Sequence, residues 1–134
     1  MLHLGDSFPN VVLEQWDLLY PGRSRSVLDL VKVSHHGSRN NTSPALVERI
    51  AGRNYIISTD GSKHAHPNIE SLLWIADQCE EGSLLLFNYP SESATRMDRP
   101  KAKERFGHRV NIGNGRAPML LAFPGEGDRE ASNG

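Results

Sequence analysis

Short apolar runs of strand length alternate with stretches of helical spacing along most of the chain, and the change of period falls at glycines, prolines or small polar clusters. Met1 to Leu4 reads as a short strand ended by Gly5-Asp6. Phe8, Val11, Val12, Trp16 and Leu19 then recur at roughly helical spacing, with Pro9 suited to a first turn. Val27 to Val33 is an apolar run of buried-strand length. Ser43-Pro44 supplies an N-cap and a proline at the first helical position, ahead of Leu46, Val47 and Ile50. Tyr55 to Ser58 reads as a strand, and His66-Pro67 as the opening of a helix carrying Ile69, Leu72, Leu73 and Ala76. Leu84 to Phe87 reads as a buried strand, and Val110 to Ile112 is expected to pair with Met119 to Phe123 as a hairpin across Gly113-Asn114-Gly115. This alternation predicts an α/β layered domain; a bundle or a sandwich would keep one period throughout.

The 134 residues suffice for one domain with a real core, expected over residues 1–123, with 124–134 as a loose tail. Apolar residues at 37% and charged residues at 23% fit a soluble globular chain. A net charge of -1 gives no general attraction to nucleic acid or anionic membrane, so any polyanion site must be local. Cys79 is the single cysteine, which rules out an intramolecular disulfide and a thiolate-rich zinc site. A reducing, cytoplasmic setting is expected. No apolar run approaches the ~20 residues that a membrane-spanning helix needs, and no membrane partner is expected.

Three places concentrate metal-ligating or acid-base side chains, each where a predicted strand gives way to a loop: Gly5-Asp6, His35-His36-Gly37-Ser38 and His64-Ala65-His66-Pro67. Strand carboxyl ends are where α/β folds assemble their sites. Asp6 could face a cation or cap a helix. On extended backbone, His35 and His36 would point to opposite sides, so that a metal takes one of them and the other supports it. Ser38 could donate to a bound oxyanion. His64 and His66, if extended, would share a face beside Lys63, a cluster able to polarise phosphate or protonate a leaving group. The plain alternatives are partly exposed loop positions for His35 and His36, a solvated loop position for His64 and a helix-starting residue before proline for His66.

Val31-Lys32-Val33-Ser34-His35-His36-Gly37-Ser38, Asn40-Asn41-Thr42-Ser43, Ile56-Ile57-Ser58 and His64-Ala65-His66-Pro67, preceded by Leu2-His3-Leu4-Gly5-Asp6, follow one another in an order that resembles the metallo-β-lactamase domain of the ComEC-type competence proteins. The resemblance covers roughly the first three-fifths of the chain and does not extend past Tyr89. It implies the C-terminal half of a four-layer αββα hydrolase sandwich with two divalent metal ions, zinc or manganese, bridged by an aspartate. Under it, Asp6 matches the bridging ligand, His36 a ligand of the second metal with His35 the alternative, and His66 a histidine near the substrate. Nucleic-acid phosphodiesters are the substrate class it implies.

The family's N-terminal His-x-His-x-Asp-His motif has no counterpart here. The chain therefore offers two or three of the roughly seven ligands such a metal pair takes, and is expected to bind metal weakly by itself. A half-sandwich would also leave an inner sheet face uncovered, so a missing N-terminal half or a second copy is the expected partner. The rival is a non-catalytic nucleic-acid or protein-binding module. It draws on the basic stretch of Arg96, Arg99, Lys101, Lys103, Arg105, His108 and Arg109, whose plain reading is a solvated loop and short helix. Nucleophile catalysis is poorly served: Ser38 lies in no Gly-x-Ser-x-Gly elbow, and Cys79 precedes Glu80 and Glu81.

Overall fold

The computed structural model of the protein describes residues 1–62 and 64–122. Strands β1 (Leu2–His3), β2 (Ser26–Leu28), β3 (Val31–Lys32), β4 (Ile50–Gly52), β5 (Asn54–Ile57), β6 (Leu84–Phe87) and β7 (Arg109–Ile112) alternate with helices α1 (Pro9–Leu19), α2 (Pro44–Arg49), α3 (Ile69–Gln78), α4 (Glu92–Met97) and α5 (Pro100–Phe106). The main sheet has five strands in the order β1-β3-β5-β6-β7, and β2 pairs with β4 in a two-stranded ribbon. Every pairing among the described residues is parallel, which establishes the mixed α/β class expected from the alternation.

The register sorts each strand into two rows. Leu2, Val31, Tyr55, Leu85 and Val110 stand opposite one another, followed two residues on by Ile57, Phe87 and Ile112. These residues pack with Trp16, Leu46, Val47, Leu72 and Ile75 of the helices in one hydrophobic cluster. Neighbouring helices touch in sequence, α1 on α2, α2 on α3 and α3 on α4, as a single layer does. The alternate row is His3, Lys32, Ile56, Leu86 and Asn111, which lies outside that cluster.

Helix starts follow the local chemistry. Ser43 accepts the Leu46 N–H at 3.1 Å and Ser91 accepts the Ala94 N–H at 3.1 Å, while Pro9, Pro44 and Pro100 occupy first-turn positions. On α1 the inward face is centred on Trp16 with Val12 and Leu13; Phe8, Val11 and Leu19 are exposed. Trp16 Nε1 donates to the buried Ser26 Oγ at 3.3 Å, which anchors the helix to β2.

Three expectations are corrected. The Val27–Val33 run is two strands, because Asp29 breaks it: its carbonyl accepts from Asn54 Nδ2 at 2.8 Å and its carboxylate from Arg53 at 3.2 Å, and β2 and β3 then join different sheets. His66-Pro67 does not open α3; the bond is cis, Asn68 is the N-cap, and the helix begins at Ile69. Val110–Ile112 forms no hairpin, since β6 takes it as a parallel edge strand and Met119–Ala122 carries no strand. Asn114 Oδ1 instead accepts the N–H groups of Arg116 and Ala117, turning the chain locally. Phe123 and the expected tail 124–134 lie outside the described residues. Among those residues no helix is long and apolar enough to cross a membrane.

Tyr55, 1% exposed, accepts the Gly52 N–H on its hydroxyl at 2.7 Å and so bridges the ribbon to the main sheet. Burial pushes its pKa up to about 12. Tyr55→Phe leaves that buried donor unpaired and is expected to lower the unfolding free energy by about 1–3 kcal/mol in urea, with the slope of the transition unchanged.

Candidate functional site

Because β1, β3 and β5 are neighbours and parallel, the loops that follow them emerge at one edge of the sheet. The loop after β1 is the turn Gly5-Asp6-Ser7, closed by a 3.0 Å bond from the Ser7 N–H to the Leu4 carbonyl. It is stapled to the loop after β3. The His35 N–H donates to the Gly5 carbonyl at 2.8 Å, and the hydroxyl of the fully buried Ser34 lies 3.1 Å from the Gly5 carbonyl and 2.9 Å from that of Ser7. Asp6 thus sits exposed beside the histidine pair.

His35, His36 and His64 are not on extended backbone, contrary to expectation. Ser34–Gly37 is a tight 3-10 turn in which His35 and His36 have φ of 40° and 59°, and His64 and Ala65 lie at 60° and 50°. Among the described residues, positive φ outside glycine occurs at these four positions, each costing about 1–2 kcal/mol against the right-handed alternative. Strain collected in one place makes this edge the candidate site. The two turns also bring the rings together. The His35 and His66 centroids are 5.5 Å apart, His64 and His66 5.9 Å, and His35 and His36 6.0 Å, so His66 stands between the pairs.

Gly37 makes this approach possible. Its φ is 86°, and a Cβ there would fall 2.7 Å from the Pro67 Cβ. The Asn68 N–H donates to the Gly37 carbonyl at 3.0 Å and the Arg39 N–H to Asn68 Oδ1 at 2.9 Å, closing the loops on each other. His36 Nδ1 bonds the Ser58 carbonyl; a carbonyl can only accept, so Nδ1 carries a proton, and in the neutral ring the lone pair falls on Nε2. His66 Nδ1 is buried without a hydrogen-bond partner among the described residues. Burial lowers the His66 pKa, and the neighbouring His35, His64 and His36 lower it further, while Asn68 opposes them.

Lys32, which sequence reasoning did not single out, ends β3 half-buried in the sheet row away from the helices. Burial lowers its pKa and the Asp6 carboxylate raises it, which places a cation next to the expected ligand. A lysine within an apolar strand was the available signal. Ser38 is 3% exposed and its hydroxyl accepts the Asn40 N–H at 3.2 Å, so it shapes the loop instead of facing an open site. Lys63 lies outside the described residues. Among those residues, no group of three or more His, Cys, Asp or Glu side chains is arranged to hold a metal ion.

The basic stretch is more ordered than a loop and one short helix: Arg96 lies in α4, Lys101, Lys103 and Arg105 in α5 and Arg109 in β7, and His108 is 3% exposed, with Nε2 2.9 Å from the Met97 carbonyl. Lys103 pairs with Asp98 at 2.9 Å, Arg105 lies over the Phe106 ring, and Arg109 donates to the Gly82 carbonyl, which leaves Arg96, Arg99 and Lys101 as its exposed cations without a described bond. Cys79 is half-buried, and burial raises its pKa. Comparison with family models, curated proteins and solved structures found no match to this chain.

Gly37→Ala is expected to destabilise the protein by about 2–4 kcal/mol in urea, from the overlap with Pro67 and the left-handed backbone together. His66 is expected to titrate below the ordinary histidine value of about 6.5 when followed by its ring proton resonances. The sign follows: the unfolded chain takes up that proton first, so this group's contribution is complete above about pH 6.5 and falls as pH drops towards the lowered folded value. Replacing His66 with Gln should flatten that part of the pH-stability curve.

Proposed function

We propose that this chain is the C-terminal half of a metallo-β-lactamase-fold hydrolase, with Asp6, His36 and His35 contributing to a two-metal site and His66 and His64 beside the substrate. The supporting observation is the hydrogen-bonded union of the Gly5-Asp6-Ser7 turn with the Ser34–Gly37 turn at adjacent strand ends. The donors suit zinc or manganese: an imidazole held through Nδ1, whose neutral form offers its lone pair on Nε2, and an exposed carboxylate. When bound, two divalent cations would lower the pKa of water and neutralise charge on a phosphodiester.

The remaining work falls to the chain's own side chains. Ser58 holds the His36 ring by its carbonyl. Lys32 stands by Asp6, whose carboxylate raises the lysine's pKa against the larger lowering by burial. His66, with its lowered pKa, is neutral at neutral pH and acts by hydrogen bonding and proton transfer more than by charge. The remaining ligands come from a second polypeptide segment, either an N-terminal half or another copy, packed on the sheet row of His3, Lys32, Ile56, Leu86 and Asn111. Nucleic acid is the substrate proposed for the complete protein. A second reading, a non-catalytic binding module, rests on the exposed Arg96, Arg99 and Lys101 of the α4–α5 stretch.

Calorimetric titration of the 134-residue chain with zinc and manganese, with light scattering in parallel, tests the proposal. The expectation is weak binding by the monomer, tighter in any self-associated form, and reduced at least about tenfold in Asp6→Ala and in His36→Ala. Binding that both variants retain in full would sink the ligand assignment. DNA binding that falls steeply with salt, in a folded chain that takes up no metal, would favour the binding module.

A further inference from the structure

We infer that Asn41 is a positioning residue for this edge: it fixes His35 as the tautomer protonated on Nδ1 and ties that ring to the turn that carries Asp6. Asn41 is 3% exposed, in the loop between Gly37 and α2, where its own N–H donates to the Ser38 carbonyl at 3.1 Å. Its side chain makes three contacts. Nδ2 reaches the Asp6 carbonyl at 3.0 Å and the Ser7 carbonyl at 3.3 Å, and Oδ1 lies 3.0 Å from His35 Nδ1.

These partners leave one consistent assignment of protons. The Asp6 and Ser7 carbonyls can only accept, so the amide NH2 must face them. The amide oxygen is then turned to His35, and because it too can only accept, His35 Nδ1 must carry the hydrogen. Turning the amide round would set its oxygen against two carbonyl oxygens in a buried site. In the neutral ring His35 therefore has its lone pair on Nε2, the same tautomer that Ser58 selects for His36. An amide suits this role better than an acid, since a carboxylate would favour the doubly protonated ring and leave no lone pair.

The use made of that lone pair rests on the proposed metal site, whereas the tautomer itself does not. The test is a long-range 1H–15N correlation spectrum of the metal-free, 15N-labelled full chain at about pH 8, above the ordinary histidine range. Wild type is expected to show His35 protonated on Nδ1 and bare on Nε2. Asn41→Ala is expected to shift His35 to mainly Nε2-protonated, with His36 unchanged as the internal control of folding. A wild-type His35 protonated on Nε2 overturns the inference, and this result needs no variant to fold. An unchanged His35 in a folded Asn41→Ala protein overturns it too. Absence of metal binding would leave the assignment standing.

Discussion

The candidate site depends on β3 being paired on both sides. Two residues long, β3 has the register Leu2 opposite Val31 on one flank and Val31 opposite Tyr55 on the other. Parallel pairing brings the carboxyl ends of three strands level, so loops well separated along the chain leave the sheet side by side. Buried residues secure the strand from below: Val31 and Val33 pack with Tyr55, Leu46 and Ile75, and Val33 continues the ladder by donating to the Ile56 carbonyl at 3.0 Å. The hydrophobic cluster thereby sets the distance between Asp6 and the histidines, and the polar bonds above it set their orientation.

Several of those polar bonds run from side chains to carbonyls. Ser34, Asn41 and His36 each engage a backbone oxygen of a different loop, so the edge is cross-linked through groups that cannot reverse their roles. Backbone strain at His35, His36, His64 and Ala65 is held in place by this network and by the close contact of Gly37 with Pro67. Imidazoles so held lose little rotational freedom when a cation or a phosphate oxygen arrives, which is the physical meaning of a preorganised site.

Much of the architecture was legible because it is local. Ser43-Pro44 marks a helix start wherever it stands, and Leu84–Phe87 is too short and too apolar for anything but a buried strand. The break at Asp29 was not legible, since it depends on Arg53 and Asn54 arriving from a distant segment. The turn at Asn114 competes with a hairpin that the same residues would permit. In the site, the gathering of Asp6, His35, His36, His64 and His66 into neighbouring loops followed from strand order. Their left-handed backbone did not, because histidine carries no conformational marker as glycine does. The burial of Ser38 and His108 was hidden for a different reason: polar residues are buried by their partners, and partners are a property of the fold.

The strand order β1-β3-β5-β6-β7 follows the order of the chain itself. Each strand of the main sheet is therefore laid down against the one made just before it, and none waits for a later segment to be inserted between earlier neighbours. A chain emerging from the ribosome could build this sheet by accretion in one direction, with β7 as the growing edge. The histidine edge, made by the first three strands, would be assembled before β6 and β7 are added.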